Sequence, residues 1–402
     1  MESPLSSLKV ALVHDWLVTY RGGEKVLEGL CRLFPSAPIH TLLHEKGSQP
    51  LSIERHTIIE SPLAKIPGAR KRHRLLLPLY PWAIEQFDLS AYDLVVSTSH
   101  AVAKGVITRA DAVHVCYVHT PMRYVWELTG DYMRGMSRPV RAAVSIVAPL
   151  LRLWDESSER RVDHFVANSR TVARRIHKRY RRDAHVIYPP VDVDRFAPAA
   201  VTPLDKDAPY LVVSALVPYK RIDLVIDAFK TGSRKLVIIG DGPERERLER
   251  EAGPNVRFLG YQTSAQLAEH YRNAQALLFP GEEDFGITPV EAMAAGRPVI
   301  AFARGGATES VVPLGHVKGE GKAPTGVWFD AQTTPALLQA IERFEASREK
   351  FLPASISEHA RRFHGERFLG EMKSLLEGVW QSFSHAGPTG DVASLTQARH
   401  RR

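Results

Sequence analysis

Short apolar runs alternating with helical patterns constrain this chain more than any other feature. In the first half they are Lys9–Asp15 (KVALVHD), Tyr92–Ser99 (YDLVVSTS), Val113–His119, His164–Ser169 and His185–Pro189. In the second half they are Tyr210–Leu216, Lys235–Gly242 (KLVIIGDG), Val256–Gly260, Ala276–Pro280 and Pro298–Phe302. Such runs, rich in Val, Ile and Leu and separated by helices, are strands buried on both faces, which means parallel sheets. A length of 402 residues suggests two or three domains. The stretch Tyr188–Pro209, rich in Pro, Ala and Asp and without a period, reads as a linker between two doubly wound domains. Ser357–Phe383 is amphipathic and helical. Residues 384–402 read as a disordered tail.

Composition narrows the setting. Apolar stretches such as Ala142–Leu151 are too short to span a bilayer, and the expectation is of no signal peptide. Two cysteines, Cys31 and Cys116, give no disulfide framework and no metal cluster, and fit a reduced cytosol. A net charge of +8 asks for an anionic partner. Its cations cluster in Lys65–Trp82 (KIPGARKRHRLLLPLYPW) and Arg160–Arg182. In the first cluster Arg70, Lys71, Arg72 and Arg74 lie beside Leu75, Leu79, Tyr80 and Trp82, a mixture that suits an anionic membrane surface; the alternative is a plain basic surface loop. No nucleic-acid-binding motif accompanies the charge, so no nucleic-acid partner is expected.

Several loops sit at strand ends, where open α/β sheets bind ligands. Gly22 and Gly23 precede a helix, either to let backbone approach a phosphate or to make a turn of positive φ. His119 ends one strand and Arg123 follows it. Lys220 and Arg221 follow another, as a diphosphate site or a solvated basic turn. Gly240 and Gly242 begin a dinucleotide fingerprint, but Arg245 stands where its third glycine belongs, which counts against a nicotinamide enzyme. Asp192 and Asp194, and Asp205 and Asp207, read as solvated turns in the linker rather than metal ligands. In GEEDFGITPVEAMAAGRPV, Thr288, Pro289 and Glu291 form a capping box at a helix start, with Gly296 as its stop. Glu291 is then either a cap or a ligand, whereas Glu283 lies outside the cap.

These motifs occur in an order that resembles the retaining glycosyltransferases of family four. The carriers are YRGGEKVLE, ANSRTVARRI, VIYPPVDVDRF, VPYKRIDLVIDAF, GDGPERERLE, VRFLGY and EEDFGITPVEAMAAGRPVIAF, which together run from Lys9 to about Phe383. VHTPMRYVWE and SALVPYKRID resemble the mannosyltransferases of bacterial O-antigen and exopolysaccharide synthesis. The resemblance implies the α/β GT-B architecture, two Rossmann-like domains facing across a cleft. Residues 1–195 would form the acceptor-side domain and 205–361 the nucleotide-sugar domain, with a helix near 362–383 packing back on the first. It implies that Glu291 binds the donor's ribose. Glu283 and the amides of Gly286, Ile287 and Thr288 would hold the donor sugar and diphosphate. Lys220 and Arg221 would neutralise the leaving diphosphate, Gly22 and Gly23 would approach the phosphate, and His119 would lie near the reacting sugar. The family's usual Arg, five residues before the phosphate-binding Lys, is Ala215 here, which leaves Arg221 to supply that charge.

The function expected is a metal-independent hexosyltransferase without a cofactor, using GDP-mannose or another nucleotide-sugar donor. Its partners would be a lipid-linked saccharide acceptor and the inner face of the cytoplasmic membrane, with Arg70, Lys71, Arg72, Arg74 and Arg123 on that side. Alternatives are a nucleotide-sugar epimerase on the same fold, a glycosidase using Glu283 and Glu291, and a binding protein without activity.

Overall fold

The computed structural model describes residues 3–126, 138–197, 202–315 and 323–386. The chain forms two compact units, one up to Pro189 and again from Glu366, the other from Pro190 to Gly365.

In the first unit seven parallel strands pair in the order β3-β2-β1-β4-β5-β6-β7. They are β1 (Val10–His14), β2 (Ile39–Thr41), β3 (Ile58–Glu60), β4 (Leu94–Ser99), β5 (Val113–Val118), β6 (His164–Ala167) and β7 (Ala184–Val186). Alternate residues of β1 serve opposite faces. Leu12 joins Val26 and Leu30 of the Gly22–Leu33 helix and Phe368, Met372 and Leu376 of the Gly365–Ala386 helix. Val13 joins Tyr80, Ile84 and Leu151 on the other side. Burial on both faces is the reason these strands read as unbroken apolar runs. Gly29 is small because a Cβ there would lie 2.7 Å from the Phe368 ring.

The second unit holds six parallel strands in the order β10-β9-β8-β11-β12-β13. They are β8 (Tyr210–Val213), β9 (Leu236–Ile239), β10 (Val256–Gly260), β11 (Leu277–Phe279), β12 (Val299–Phe302) and β13 (Gly326–Phe329). Gly240 has φ +126, and a Cβ there would lie 1.9 Å from the Ser214 carbonyl oxygen. The glycines of GDGPE therefore let two loops of the same chain touch, which accounts for them without a dinucleotide.

Two boundaries differ from the sequence reading. The second unit begins at Pro190 rather than beyond 195, because Val191, Val193 and Phe196 are buried and Val191 bridges to His364. The boundary expected near 361–362 is close to the one observed: the helix Pro353–Ala360 belongs to the second unit, and Gly365–Ala386 packs on the first. Residues 384–386 are helical, and the rest of the expected tail lies outside the described residues. Asp192 and Asp194 are also more than solvated turns. Asp192 accepts the Arg195 N–H at the start of the Val193–Phe196 turn, and Asp194 lies 2.8 Å from His364 Nε2. Among the described residues no helix is long and apolar enough to cross a membrane.

Candidate active site

In each sheet one central pair of strands sends its crossovers in opposite directions: β1 and β4 in the first, β8 and β11 in the second. The space beyond the carboxyl ends at such a switch point is where an α/β sheet leaves room for a ligand.

In the second unit Lys220 follows β8 and Glu283 follows β11, and the Lys220 ammonium donates to Glu283 Oε1. The two loops touch closely, since a Cβ on Gly281 would lie 3.1 Å from Lys220 Cα. Glu283 is fixed from behind by a loop that the sequence reading passed over. The Gly306 N–H donates to the Glu283 carbonyl at 2.8 Å, and a Cβ on Gly305 would lie 2.1 Å from that oxygen. Glycine at 305 also carries φ +66.

The helix that follows is Ile287–Ala294, with Gly286 as its N-cap at φ +81. The capping box expected at Thr288 does not form. The left-handed turn at Gly286 starts the helix two residues earlier, and Pro289 is accommodated because first-turn N–H groups have no partner within the helix. The N–H groups of Gly286, Ile287 and Thr288 thus stand at the helix start directly after the loop that carries Glu283, without partners within the helix. A Cβ on Gly286 would meet the Phe279 ring at 2.9 Å. Glu291, freed from the cap, is 4% exposed and its Oε2 accepts from Tyr271 Oη at 3.0 Å. Gly296 does end the helix, at φ +74.

Arg221 follows Lys220 in the same loop. Its backbone is left-handed, at φ +56, a conformation that costs a non-glycine residue about 1 kcal/mol. Its Nε and Nη2 donate to the Asp223 carboxylate at 3.2–3.3 Å. Arg221 therefore carries an acidic partner, as Lys220 does.

In the first unit three histidines gather beyond β1, β4 and β5. His14, His100 and His119 lie in sequence, with ring centroids 6.2 Å apart for the first pair and 6.3 Å for the second. Of these the sequence reading named only His119. The signal for the others was their place at strand ends, as in KVALVHD and YDLVVSTSH. Asp15 organises the group. Its buried carboxylate accepts the N–H groups of His100, Ala101, Val102 and Ala103 at 2.7–2.9 Å, with His100 Nδ1 at 3.0 Å. Burial raises the Asp15 carboxyl, but the His100 charge and hydrogen bonds outweigh it and hold it well below the usual range. The same pair raises His100 against the burial that would lower it. His119 goes the other way: burial first, then the charges of His100 and His14, bring it down to about 3. At neutral pH it is an uncharged imidazole. Among the described residues its enclosed Nε2 has no hydrogen-bond partner, and it is suited to a neutral ligand group such as a hydroxyl.

Gly22 and Gly23 are the first two residues of their helix, and neither has positive φ. The turn explanation for them therefore fails. Glu24 accepts the Arg21 N–H at 2.8 Å and lies 3.9 Å from His14 Nε2. A Cβ on Gly23 would stand 3.5 Å from His119 Nε2, an ordinary contact that would nonetheless fill the space in front of that nitrogen.

Of the expected membrane-side cations, Lys71, Arg72 and Arg74 are exposed. Arg70 is not available, because its guanidinium clamps both Glu60 oxygens at 2.9–3.0 Å and donates to the His44 carbonyl. Arg123 begins the short helix Arg123–Trp126, four positions past His119. Leu75 (74% exposed), Leu79 and Trp82 project beside these cations. A second apolar stripe, absent from the sequence reading, lies on the Arg138–Ser158 helix: Ile146 (69% exposed), Leu150 and Leu153, spaced as one helical face. The two stripes share a core, in which Val147, Leu151 and Trp154 join Leu76, Leu77 and Tyr80.

Comparison with known proteins fits this geometry. Residues 20–195 match the family described as Glycosyltransferase Family 4, and residues 195–363 match Glycosyl transferases group 1. The chain belongs to the glycosyltransferases of family four. A GDP-mannose-dependent alpha-mannosyltransferase of Mycobacterium tuberculosis is 37% identical over 131 residues, 31% of this chain and 34% of that protein. A D-inositol 3-phosphate glycosyltransferase of Gordonia bronchialis is 29% identical over 305 residues, 68% of this chain and 64% of that protein. The matched stretches thus span about a third to just under two thirds of these curated relatives. Among solved structures, a sucrose-phosphate synthase from Thermosynechococcus elongatus superposes with TM-score 0.67 at 19% identity, over 93% of this chain and 99% of that one. Anabaena HepE in complex with UDP gives 0.64 at 17% identity, over 93% and 100%. At these identities the likeness is one of fold, the two-Rossmann-domain GT-B architecture.

The space in front of His119 can be tested directly. Gly23→Ala should fold as well as the parent or slightly better, since alanine favours a helix by about 0.5–1 kcal/mol over glycine. Sugar transfer by that variant should nevertheless fall roughly tenfold or more. Full activity with an unchanged melting temperature would mean that nothing needs the space.

Proposed function

We propose that the protein is a retaining, metal-independent glycosyltransferase that moves a hexose, most simply mannose from GDP-mannose, to a lipid-linked saccharide in cell-surface polysaccharide synthesis. The observation that carries this is the second unit's switch point, where Lys220 meets Glu283 in the loop that leads into the Ile287–Ala294 helix start. A nucleotide-sugar places a diphosphate next to a sugar. The ammonium and the helix start suit the diphosphate, and the Glu283 carboxylate suits the sugar's hydroxyls.

In the reaction the bond from the anomeric carbon to the phosphate oxygen breaks. The electron pair leaves with the nucleoside diphosphate, and the acceptor oxygen forms the new bond as its proton passes to the departing phosphate oxygen. Lys220 and the amides stabilise the charge gathering on the leaving group, and they are already oriented before the reaction begins. The family resemblance would put His119, neutral and with its Nε2 unpartnered among the described residues, near the reacting sugar. Mannose is supported by the similarity to GDP-mannose-dependent mannosyltransferases of Mycobacterium tuberculosis, and retention by the family resemblance. A hydrolase built on Glu283 and Glu291 fits less well, because Glu283 is paired with Lys220 and Glu291 is buried against Tyr271.

A lipid-linked acceptor would bring the protein to the inner face of the cytoplasmic membrane as a peripheral protein. The two apolar stripes, with Lys71, Arg72, Arg74, Arg138 and Arg141 exposed near them, support that placement. Cations attract anionic headgroups, and exposed leucine and tryptophan enter the acyl boundary.

Two experiments follow. Purified protein offered GDP-mannose, UDP-glucose and ADP-glucose should turn over the first, with no loss in EDTA. Lys220→Ala should lower kcat/KM by roughly 10²–10³. Strict dependence on a divalent metal would contradict the metal-free mechanism. In sedimentation with vesicles, the protein should bind phosphatidylglycerol and not phosphatidylcholine. Replacing Lys71, Arg72 and Arg74 by glutamine, with Arg70 kept for its clamp on Glu60, should release it. Unchanged binding would reject the patch.

A further inference from the structure

The VDVDRF turn and the buried tyrosine of the Ser264–Arg272 helix have no part in the reaction above, yet both lead to Glu291. Phe196, 2% exposed, closes the Val193–Phe196 turn just after the chain enters the second unit. Its ring meets Tyr271 edge to face, centroids 5.5 Å apart at 86°. Tyr271 is fully buried, and its hydroxyl donates to Glu291 Oε2 at 3.0 Å. A buried carboxylate is tolerated only when hydrogen-bonded, and a donor locked by packing also fixes the plane of the group it serves. Burial, together with the Glu291 charge, keeps the phenol well above its ordinary range, so it remains a donor at any working pH.

We infer that Tyr271 is a positioning residue for the donor: it holds Glu291 Oε2 so that the carboxylate is oriented for the ribose hydroxyls, and Phe196 holds the Tyr271 ring in turn. This rests on the reading that Glu291 binds the ribose. Tyr271 touches no part of the donor and acts only through Glu291.

The test compares binding of GDP and of 2′,3′-dideoxy-GDP, which lacks the ribose hydroxyls, to the full-length protein. Tyr271→Phe removes one oxygen and keeps the ring. It should weaken GDP binding about tenfold while leaving the dideoxy analogue unaffected. Glu291→Ala should do the same to at least that extent, and the double variant should be no worse than Glu291→Ala alone. If Tyr271→Phe fails to fold, Phe196→Leu takes its place, with a smaller loss confined to GDP. Unchanged GDP affinity in Glu291→Ala overturns the ribose reading. A loss in Glu291→Ala with none in Tyr271→Phe, or losses that add in the double variant, or equal losses for both nucleotides, overturns the positioning role.

Discussion

Strands β8 and β11 run side by side, and the chain after each turns to opposite sides of the sheet. Parallel pairing with right-handed crossovers allows no other course, and it leaves an opening between the two loops. The loops are then brought together by small residues at points of backbone contact, Gly281 against Lys220 and Gly305 against Glu283. The ammonium of one loop therefore meets the carboxylate of the other. The first unit repeats the arrangement between β1 and β4, with a different result. There Asp15 spends its lone pairs on four backbone amides and one imidazole, which fixes the loop carrying His100 beside a neutral His119.

Charge is matched before any ligand arrives. Lys220 is held by Glu283 and Arg221 by Asp223, so neither cation stands alone in a partly dry site. In the proposed reaction a diphosphate takes Lys220 from Glu283, and the sugar hydroxyls take up the carboxylate that is released. An exchange of partners of this kind involves less desolvation than recruiting a bare ammonium, because the charge is part-buried throughout. The left-handed backbone at Arg221 aims the Lys220 loop at the cost of a modest strain, and the helix Ile222–Phe229 begins immediately after it.

Much of this was legible in the sequence because burial on both faces leaves a local trace. The apolar runs became β1 and β4 to β12, and the loops that follow several of them became the sites. β2 (IHT), β3 (IIE) and β13 (GVWF) escaped, since a polar residue or a glycine interrupts each within three or four positions and no apolar run stands out. The capping box at Thr288 failed for a related reason. Thr-Pro-x-Glu is a local signal, and a left-handed glycine two residues earlier overrode it. What stayed out of reach was convergence across the chain. Nothing near Glu291 reveals that Tyr271, twenty residues back, holds it. Likewise His14 and His100 are brought together only by the pairing of β1 with β4. Arg70, which reads as one more membrane cation, is withdrawn by Glu60 for the same reason.

In the proposed reaction Lys220 leaves Glu283 to hold the diphosphate. Calorimetric affinities for GDP in the parent protein, in Lys220→Met and in Glu283→Gln test that exchange. Lys220→Met should bind GDP roughly ten- to a hundredfold more weakly, at about 1.4 kcal/mol for each factor of ten. Glu283→Gln, which frees the ammonium and faces no sugar in GDP, should bind as tightly as the parent or more tightly. Unchanged affinity in Lys220→Met would contradict the account.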